Sequence, residues 1–370
     1  MLRTYKYKLY NTKKLNHIHR TINIAGIIYN HCIALHKRYY KLYGKSLNKF
    51  QLQKHLTKLK KRDKYSYWNK LGSQAIQNIS ERIDEGYKKF YKKQGGLPSF
   101  KKVSKYKSFT LKGKVGYKLK DNIISLNGYK YKFWKSREIN GKVKTVTVKR
   151  DNIGDFYICI SLEIEESKYN ITSGKTVGID FGLSKFLSLS DKTDIESPLF
   201  HLKNLSKLKR LNRNLSKKIK GSNNRKLAKK QLAKLHIKIA NQRKDYFHKL
   251  SNDLANNYDT IFIEDLNMKA MQRVWGRKIS DLAFSEFVNI LNYKTNVVKI
   301  DRFYPSSKTC SCCGTVNEDI NKDMKNLKNR IFKCNTCNLE IDRDLNASIN
   351  IHRVGASTLR GETIRLASVS

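Results

Sequence analysis

Two short cysteine motifs, Cys-Ser-Cys-Cys at residues 310–313 and Cys-Asn-Thr-Cys at residues 334–337, decide how the second half of this chain is organised. Twenty residues separate them, and two CxxC turns at such a separation are typical of a four-thiolate zinc site. Each turn brings two sulfur atoms towards one ion, and the second turn completes the tetrahedron. We therefore expect a structural Zn²⁺ bound by Cys310, Cys313, Cys334 and Cys337.

The cysteine pattern leaves one alternative open, which is a basic loop with reduced cysteines and no metal. Cys312 is adjacent to Cys313, and both side chains cannot easily point at one ion, so the pair Cys310 and Cys313 is preferred. Four thiolates leave no open position for a substrate, so the metal would be structural. The acidic residues at 342–344 follow closely, which indicates an insert beside an active site.

The composition indicates a polyanionic partner. The chain has 370 residues, enough for two or three domains, and 77 Lys and Arg against 30 Asp and Glu give a net charge of +47. Such an excess repels itself unless a polyanion neutralises it. The 21 Tyr and 15 Phe residues offer faces on which bases stack, so we expect nucleic acid rather than a membrane or a small-molecule substrate. The alternatives are a generic basic binder and a lysine-biased genome.

Cysteine usage and hydropathy predict a reducing, intracellular location. Cys32, Cys159 and Cys312 belong to no obvious disulfide framework. The first ten residues contain no apolar core of a signal peptide. No uncharged run approaches the ~20 residues that a membrane span needs. We expect a cytoplasmic, nucleoid-associated protein of a bacterium or archaeon.

Hydrophobic periodicity divides the first half into a strand, a helical region and further strands. Residues 2–10 alternate like a strand, and residues 15–43 and 76–90 carry apolar side chains at helical spacing. From about residue 106 to 164 the period becomes two, and the turn at 151–155 predicts a hairpin. This order predicts a β-barrel interrupted by a helical lobe.

The second half alternates short strands with helices. The sequence predicts strands at 175–180, 260–264 and 297–300, helices at 281–293 and 344–352, and a helical pair at 201–250. The helical pair would turn at 221–224, with Leu208, Leu211, Leu215 and Ile219 lining one arm. It carries 17 Lys and Arg against one Asp. A charged run of this kind is usually a solvated helix face, but such a one-sided charge favours a nucleic-acid channel.

Three carboxylates occupy positions where sites assemble. Asp180 and Glu264 end apolar strands, and Asp344 opens a helix. Three converging carboxylates would repel unless cations neutralised them, and two divalent ions ~4 Å apart would also clamp the reacting oxygens of a phosphodiester. Taken singly, each acid is more often a helix cap or a turn residue. Asp265 and Asp342 are interpreted as structural. Asp301 also follows a predicted strand, so a position at the end of a strand does not by itself identify a catalytic residue.

Five stretches in chain order carry a family resemblance. They are Gly178–Gly182 (GIDFG), Ile263–Met268 (IEDLNM), Asp301–Cys310 (DRFYPSSKTC), the paired cysteine motifs and Asp344–Asn350 (DLNASIN). Weaker matches are Gln74–Gln77, Gly96–Phe100, Thr145–Lys149 and Gly355–Thr358. Together they resemble the transposon-encoded TnpB (OrfB-type) family, the compact RNA-guided nucleases related to type V CRISPR effectors.

The resemblance implies a multidomain α+β protein. A RuvC (RNase H-like) α/β nuclease domain would have a catalytic triad of Asp180, Glu264 and Asp344 and would bind Mg²⁺ or Mn²⁺. A wedge-type β-barrel with an inserted helical recognition lobe would precede it. The implied boundaries are 1–12 and 97–170 for the barrel, 13–96 for the lobe, 171–304 and 340–354 for the nuclease, 305–339 for the zinc insert and 355–370 for a disordered tail.

The resemblance also implies the partners and the reaction. The protein would bind a guide RNA from the transposon end, open double-stranded DNA next to a short adjacent motif, and hydrolyse phosphodiesters of the target. Expected nucleic-acid contacts are Ser73, Gln74 and Gln77 on one helix and Lys217, Lys218 and Lys220 on the basic helical pair.

Two alternatives from other functional classes stay open, which are a guide-directed repressor that does not cut and a transposition accessory. The intact Asp180, Glu264 and Asp344 favour the nuclease. One departure from the family is a short connection before the strand at 297–300, where only Thr295 and Asn296 intervene, so this strand could be displaced.

Overall fold

The computed structural model describes residues 2–113, 115–164, 174–182, 185–266, 281–317 and 330–360, together with Arg273 and Gly276. The chain forms two compact units, Met1–Glu166 and Ser167–Ser370. Each unit has its own principal hydrophobic core. Among the described residues, no helix combines the length and the apolar character that crossing a membrane requires.

The first unit contains three α-helices, α1 (Leu15–Tyr43), α2 (Lys49–Leu59) and α3 (Ser73–Tyr91), and 3₁₀ segments at Asp63–Leu71 and Val103–Lys105. The helices expected at 15–43 and 76–90 are confirmed. Helix α1 ends at Gly44, whose φ of 63° is the left-handed conformation common just after a helix. Helix α2 begins at a capping box, in which the side chains of Asn48 and Gln51 accept hydrogen bonds from each other's backbone N–H groups.

The strands of the first unit form two antiparallel sheets, ordered β1-β7-β6-β2 and β3-β4-β5. Their bounds are β1 (Leu2–Lys8), β2 (Ser108–Lys112), β3 (Tyr117–Lys120), β4 (Ile123–Leu126), β5 (Tyr129–Lys132), β6 (Lys142–Arg150) and β7 (Phe156–Glu163). The hairpin expected around residues 151–155 is confirmed as β6 and β7. Strand β1 pairs with β7 along its whole length, so the helices are inserted between the first strand and the others.

The second unit is built on a five-stranded sheet with the order β10-β9-β8-β11-β12. Its strands β8, β11 and β12 are parallel, whereas β9 and β10 are antiparallel to their neighbours. The bounds are β8 (Thr176–Phe181), β9 (Lys185–Leu189), β10 (Asp194–Glu196), β11 (Thr260–Glu264) and β12 (Asn296–Ile300), with a separate hairpin β13 (Ile331–Lys333) and β14 (Glu340–Asp342). The three strands predicted at 175–180, 260–264 and 297–300 are thus neighbours in one sheet.

Five described helices accompany this sheet, α4 (Phe200–Lys203), α5 (Leu205–Ser216), α6 (Asn223–Asn257), α7 (Phe284–Leu291) and α8 (Arg343–Arg360). Helix α7 begins three residues later than the sequence predicts, because Ala283 has a φ of 47° and interrupts the helical backbone. Its Phe284 and Phe287 pack with Phe186 and Phe247 in the core.

The basic helical pair is present as α5 and α6, which pack through Leu208, Leu235 and Ile239. One detail of the prediction is wrong. Ile219 does not line the pair, because it lies in the connection after α5 and is 80% exposed. The side chain of Arg225 fixes this connection by donating hydrogen bonds to the carbonyl oxygens of Leu215, at 3.0 Å, and Lys218, at 2.6 Å.

Helix α8 extends beyond its predicted end. A tail was expected from residue 355, but the helix continues to Arg360, so the expected boundary is too early. The physical reason is a close contact in the last turns, since a Cβ at Gly355 would lie 2.1 Å from Cδ1 of Phe262 on β11. Residues 361–370, the rest of the expected tail, lie outside the described residues.

The short connection before β12 does not move that strand out of the sheet. Strand β12 pairs with β11 over five residues, and Ile300 lies opposite Glu264. The connection is anchored by Lys294, a buried side chain whose Nζ donates to the backbone oxygen of His248, at 2.7 Å, and to Oγ of Ser251, at 2.6 Å. Thr295 adds hydrogen bonds to the backbone oxygens of residues 258 and 259.

Candidate nuclease site and cysteine cluster

Asp180 and Glu264 are brought together by the parallel pairing of β8 and β11. Ile179 lies opposite Ile263, so the two acidic residues that follow stand side by side at the carboxyl ends of neighbouring strands. Ile179 and Ile263 are buried and anchor both strands in the core. The acidic side chains are only partly buried, so water and substrate can reach them.

Asp344 enters the same region from the first turn of α8. The Oδ1 atom of Asp342 caps this helix by accepting hydrogen bonds from the backbone N–H groups of Asp344, at 2.9 Å, and Leu345, at 3.1 Å. The Oδ2 atom of Asp342 forms an ion pair with Lys185 at 3.0 Å. Asp342 is thus engaged in helix capping, as its position predicts, and Asp344 remains available.

Helix α8 lies directly against β8. A Cβ added to Gly178 would lie 2.3 Å from the carbonyl oxygen of Ser348 and 2.5 Å from the backbone nitrogen of His352. Only glycine therefore allows the strand and the helix to approach so closely. Since Gly178 is two residues before Asp180, this contact sets the distance between the strand that carries Asp180 and the helix that carries Asp344.

The pKa values of all three carboxyl groups are raised above their ordinary values. Burial, followed by the negative charges of Glu264 and Asp344, raises the pKa of Asp180 to about 8. Burial also raises the pKa of Glu264, against the effect of a hydrogen bond from Ser306. The pKa of Asp344 is raised by burial and then by Asp342. The ionised forms of all three carboxyl groups are therefore disfavoured in the folded chain without a bound cation.

This donor set fits hard divalent cations. Carboxylate oxygens are the ligands that Mg²⁺ and Mn²⁺ prefer, and a bound cation would stabilise the ionised form of Asp180 that burial and the neighbouring carboxylates disfavour.

Two neighbouring aspartates, Asp265 and Asp301, form other contacts, and for Asp265 this agrees with its interpretation as a structural residue. Asp265 forms ion pairs with Lys299, at 2.8 Å, and with Arg302. These hydrogen bonds lower the pKa of Asp265, although its carboxylate is exposed. Asp301 accepts a hydrogen bond from the backbone N–H of Phe303 at 2.9 Å. Neither side chain belongs to the cluster of three carboxylates formed by Asp180, Glu264 and Asp344.

The four expected cysteines form a cluster. The Sγ atoms of Cys310 and Cys337, and those of Cys313 and Cys334, are 3.6 Å apart, and all four lie within 4.8 Å of one another. A disulfide would require about 2.05 Å, whereas Zn–S bonds of about 2.3 Å place tetrahedral sulfurs about 3.8 Å apart. The arrangement therefore fits a structural Zn²⁺.

A small apolar core supports the cysteine cluster. Phe332 is buried beside Cys310 and Cys334, with Leu339 and Ile341 packed against them. Cys312 is exposed and takes no part in the cluster, which agrees with the preference for Cys313. Hydrogen bonds with Thr315 lower the pKa of Cys313 to about 6, whereas burial raises the pKa of Cys310 and hydrogen bonds with the other cysteines raise that of Cys337. Residues 318–329 of the expected insert lie outside the described residues.

The structure reveals one contact that the sequence reasoning missed. Oγ of Ser306, in the loop that leads to Cys310, donates a hydrogen bond to Oε1 of Glu264. The stretch Asp301–Cys310 is part of the family resemblance, but periodicity and spacing give no reason to single out this serine. A contact across 42 residues of sequence becomes visible only when β11 and the loop are placed in space.

The expected nucleic-acid residues lie on two surfaces, one in each unit. Ser73 and Gln77 are exposed on the first turns of α3, and Gln74 is partly exposed. Lys217, Lys218 and Lys220 lie in the connection between α5 and α6, where the first and last are exposed and Lys218 is partly exposed. All of these side chains except those of Gln74 and Lys218 are open to solvent, which nucleic-acid contacts require.

Comparison with protein families gives two matches along the second half. A family described as "Probable transposase" (OrfB_IS605) matches residues 159–275, and one described as "Cas12f1-like, TNB domain" matches residues 284–351. The first match contains Asp180 and Glu264, and the second contains Asp344 and the four cysteines.

Two relatives extend the similarity to most of the chain. A protein of Streptomyces pristinaespiralis, provisionally named RNA-guided DNA endonuclease, is 29% identical over 98% of this chain and 92% of its own length. The protein InsQ of Escherichia coli K12, with the same provisional name, is 31% identical over 79% of this chain and 77% of its own length.

The fold is similar to that of the protein in the cryo-EM structure of a Cas12f1–sgRNA–target DNA complex. The similarity covers 92% of this chain and 83% of that protein, with a TM-score of 0.60 and 18% identity.

Proposed function

Because this chain belongs to the TnpB (OrfB-type) family, to which the E. coli relative connects it over most of its length, we propose that it is an RNA-guided DNA endonuclease. The observation that carries the nuclease assignment is the convergence of Asp180, Glu264 and Asp344. Burial and, after it, the negative charges of Glu264 and Asp344 raise the pKa of Asp180, and a site of this kind is suited to divalent cations.

The three carboxylates would bind Mg²⁺ or Mn²⁺ directly. When bound, a pair of such ions polarises the phosphodiester and stabilises the attacking and leaving oxygens of the hydrolysis. Asp180 lies on the central strand β8, Glu264 on the adjacent β11, and Asp344 on the helix that Gly178 holds against β8. The strand order β10-β9-β8-β11-β12 supports assigning the second unit as a RuvC-like (RNase H-like) nuclease domain.

The cysteine cluster would hold a structural Zn²⁺. Four cysteine sulfurs surround one position and leave no coordination site for substrate, so the ion would stabilise the insert and take no part in hydrolysis. Zinc binding would contribute much of the free energy of folding of the insert, because the described residues of its small core include only one buried apolar side chain besides the cysteines, that of Phe332.

The partners we propose are a guide RNA and a double-stranded DNA target. The Cas12f1 structure contains a guide RNA and target DNA bound to a protein of similar fold. The net charge of +47 supports the same partners, because phosphates neutralise it. The sheets and helices of the first unit support a wedge-type barrel with a recognition lobe, in which α3 would contact DNA beside a short adjacent motif through Ser73, Gln74 and Gln77.

The deciding experiment uses the full-length chain purified with RNA transcribed from its own transposon end. The complex is incubated with plasmids that carry a matched target beside a randomised flanking sequence. We expect cleavage that requires Mg²⁺ and a matched target, and that Asp180→Ala abolishes without weakening RNA binding, because a metal ligand contributes little to phosphate contacts.

The two non-cutting alternatives give different results in the same experiment. A guide-directed repressor would bind the matched plasmid and leave it intact with Mg²⁺ and with Mn²⁺. A transposition accessory would bind nucleic acid without preference for the matched target. Undiminished cutting by the Asp180→Ala variant would contradict the assignment of the three carboxylates.

A further inference from the structure

The loop between β12 and the cysteine cluster contacts the nuclease site through one side chain. Oγ of Ser306 donates a hydrogen bond to Oε1 of Glu264, and Ser306 is only 5% exposed. A carboxylate held by such a hydrogen bond has one preferred orientation, so its second oxygen is left for a cation. Glu264 is otherwise a flexible side chain with three rotatable bonds, which makes an orienting donor valuable.

Two buried asparagines of α8 hold this loop in place. The side-chain amide of Asn350 donates to the carbonyl oxygens of Ser306, at 2.8 Å, and Thr309, at 2.6 Å. The amide of Asn346 donates to the carbonyl oxygen of Thr309 at 2.8 Å and accepts from the backbone N–H of Ser311 at 2.9 Å. Both asparagines are fully buried, so the loop backbone is fixed to the helix that carries Asp344.

The same loop leads directly into the cysteine cluster. Cys310 is four residues after Ser306 and is buried, and its backbone N–H donates to the carbonyl oxygen of Thr315 at 2.9 Å. The backbone N–H groups of residues 308 and 309 donate to the carbonyl oxygen of Pro305, which makes the stretch a compact turn. A change in the position of Cys310 is therefore passed to Ser306 through a short segment with little freedom.

We propose that Ser306 is a positioning residue for Glu264 and that it couples the nuclease site to the cysteine cluster. The inference rests on the proposed function, because it takes Glu264 as a ligand of the divalent cation. Zinc bound by the four cysteines would fix the loop, the loop would fix the Ser306 hydroxyl, and the hydroxyl would fix the carboxylate. The cysteine cluster then has a role in the nuclease site besides stabilising its own insert.

The test measures cation binding and cleavage separately. Binding of Mn²⁺ to the full-length chain without RNA is followed by electron paramagnetic resonance, and only the binding lost in Asp180→Ala is counted. Replacing Ser306 with Ala should raise the Mn²⁺ dissociation constant about tenfold, the lower end for loss of a residue that orients a metal ligand. The Mg²⁺ concentration for half-maximal cleavage should rise by a similar factor.

Matched variants separate positioning from folding. Ser307→Ala removes the adjacent hydroxyl, which does not contact Glu264, and should bind Mn²⁺ like the parent chain. Ser306→Thr keeps a hydroxyl and should restore most of the affinity. Zinc content and melting temperature of Ser306→Ala should equal those of the parent, because the substitution leaves the four cysteines and the backbone hydrogen bonds of the loop intact.

Removing zinc tests the coupling itself. Stripping zinc from the parent chain with a chelator, followed by removal of the chelator, should weaken Mn²⁺ binding about as much as Ser306→Ala does. In Ser306→Ala the same treatment should change Mn²⁺ binding by less than about twofold, because the hydroxyl that transmits the change is absent.

Three results bear on the inference in different ways. Mn²⁺ binding of Ser306→Ala equal to that of the parent would overturn the positioning role. Equal effects of zinc removal in both chains would overturn the coupling. If Asp180→Ala itself neither weakens Mn²⁺ binding nor stops cleavage, the proposed nuclease site fails, which is a different outcome from failure of Ser306.

Discussion

At the scale of single residues, the pKa of Asp180 has a consequence that can be measured without substrate. Its value of about 8 in the folded chain lies far above the ordinary value of 3.8. The folded state therefore binds more protons than the unfolded state between about pH 4 and pH 8. The contribution of Asp180 to stability is fully present below the unfolded pKa and is lost as the pH rises through the folded pKa.

We expect Asp180→Asn to stabilise the chain at alkaline pH in the absence of divalent cations. At pH 5 the difference between the two chains should be smallest within the measured range, because Asp180 is protonated in the folded chain and only ionisation of the unfolded chain, which begins near pH 3.8, lowers the stability of the parent. Above pH 8 the variant should melt roughly 2–8 °C higher, since even a discounted penalty of about 1–2 kcal/mol has that effect in a unit of this size. Calorimetry from pH 5 to pH 9 measures the difference on protein dialysed free of Mg²⁺ and Mn²⁺, without a chelator that would remove zinc.

The control for this prediction is Asp301→Asn. Asp301 is exposed, accepts a backbone hydrogen bond and does not belong to the cluster of three carboxylates. Its difference from the parent should not grow between pH 5 and pH 8. Adding Mg²⁺ should reduce the advantage of Asp180→Asn, because the cation stabilises the ionised parent. An advantage that is constant across the pH range would contradict the proposed origin of the shift.

At the scale of elements, the contact between β8 and α8 determines whether the site assembles. A Cβ at Gly178 would meet backbone atoms of α8 at 2.3 and 2.5 Å, and neither can move unless the whole helix moves. Gly178→Ala should destabilise the chain by about 1–3 kcal/mol, the usual range for overpacking, and should reduce cleavage because α8 carries Asp344. Thermal unfolding and cleavage rates measure the two effects.

The matched glycine is Gly96, around which a Cβ would meet no atom within 4 Å. Gly96→Ala should leave the melting temperature within about 1 °C of the parent, because an exposed substitution without contacts changes stability little. If Gly178→Ala melts and cuts like the parent, the close approach of helix and strand is not what positions Asp344.

The cysteine cluster is the second element with a specific expectation. Purified protein should contain about one zinc per chain, and Cys334→Ser should lose it. Loss of the metal should increase hydrogen exchange in β13 and β14, because the cluster supplies most of the core beneath them. Cys312→Ser is the control and should retain zinc, since Cys312 is exposed and outside the cluster.

The elements themselves were largely predictable from the sequence, and their contacts were not. The apolar runs that precede Asp180 and Glu264 identify both strands, and the CxxC motifs identify the cysteine cluster. The hydrogen bond from Ser306 to Glu264 arises only from tertiary placement. The left-handed backbone at Ala283 and the exposed position of Ile219 likewise depend on how the surrounding helices pack, which periodicity does not encode.

The basic helical pair is an element whose charge should affect how the whole molecule binds nucleic acid. Replacing Lys217, Lys218 and Lys220 with Glu changes the net charge from +47 to +41 at a connection that protrudes between α5 and α6. We expect weaker complex formation and slower cleavage at physiological salt. The loss should be measured as a function of salt, because ionic strength changes both the screening of the new charges and the release of counterions.

The corresponding Lys→Arg triple variant keeps the charge and the exposure, and it should cut like the parent. The alternative is a helical face that is only solvated, which predicts parental cleavage rates for the Glu variant at every salt concentration. Parental rates at physiological salt would therefore assign these lysines to the solvent.

At the scale of the whole molecule, the charge of +47 should govern RNA binding. Each neutralised phosphate of a single strand contributes roughly 0.7 to the slope of log K against log salt, so ten contacts would give a slope of about −7. Filter binding of transposon-end RNA to Asp180→Ala, between about 0.1 and 0.5 M KCl, measures this slope. The Lys217, Lys218 and Lys220 to Glu variant should have a slope shallower by about 2 if all three lysines contact RNA phosphates. A parent slope near zero would mean that the excess charge faces solvent, and guide binding would then need a source of free energy other than counterion release.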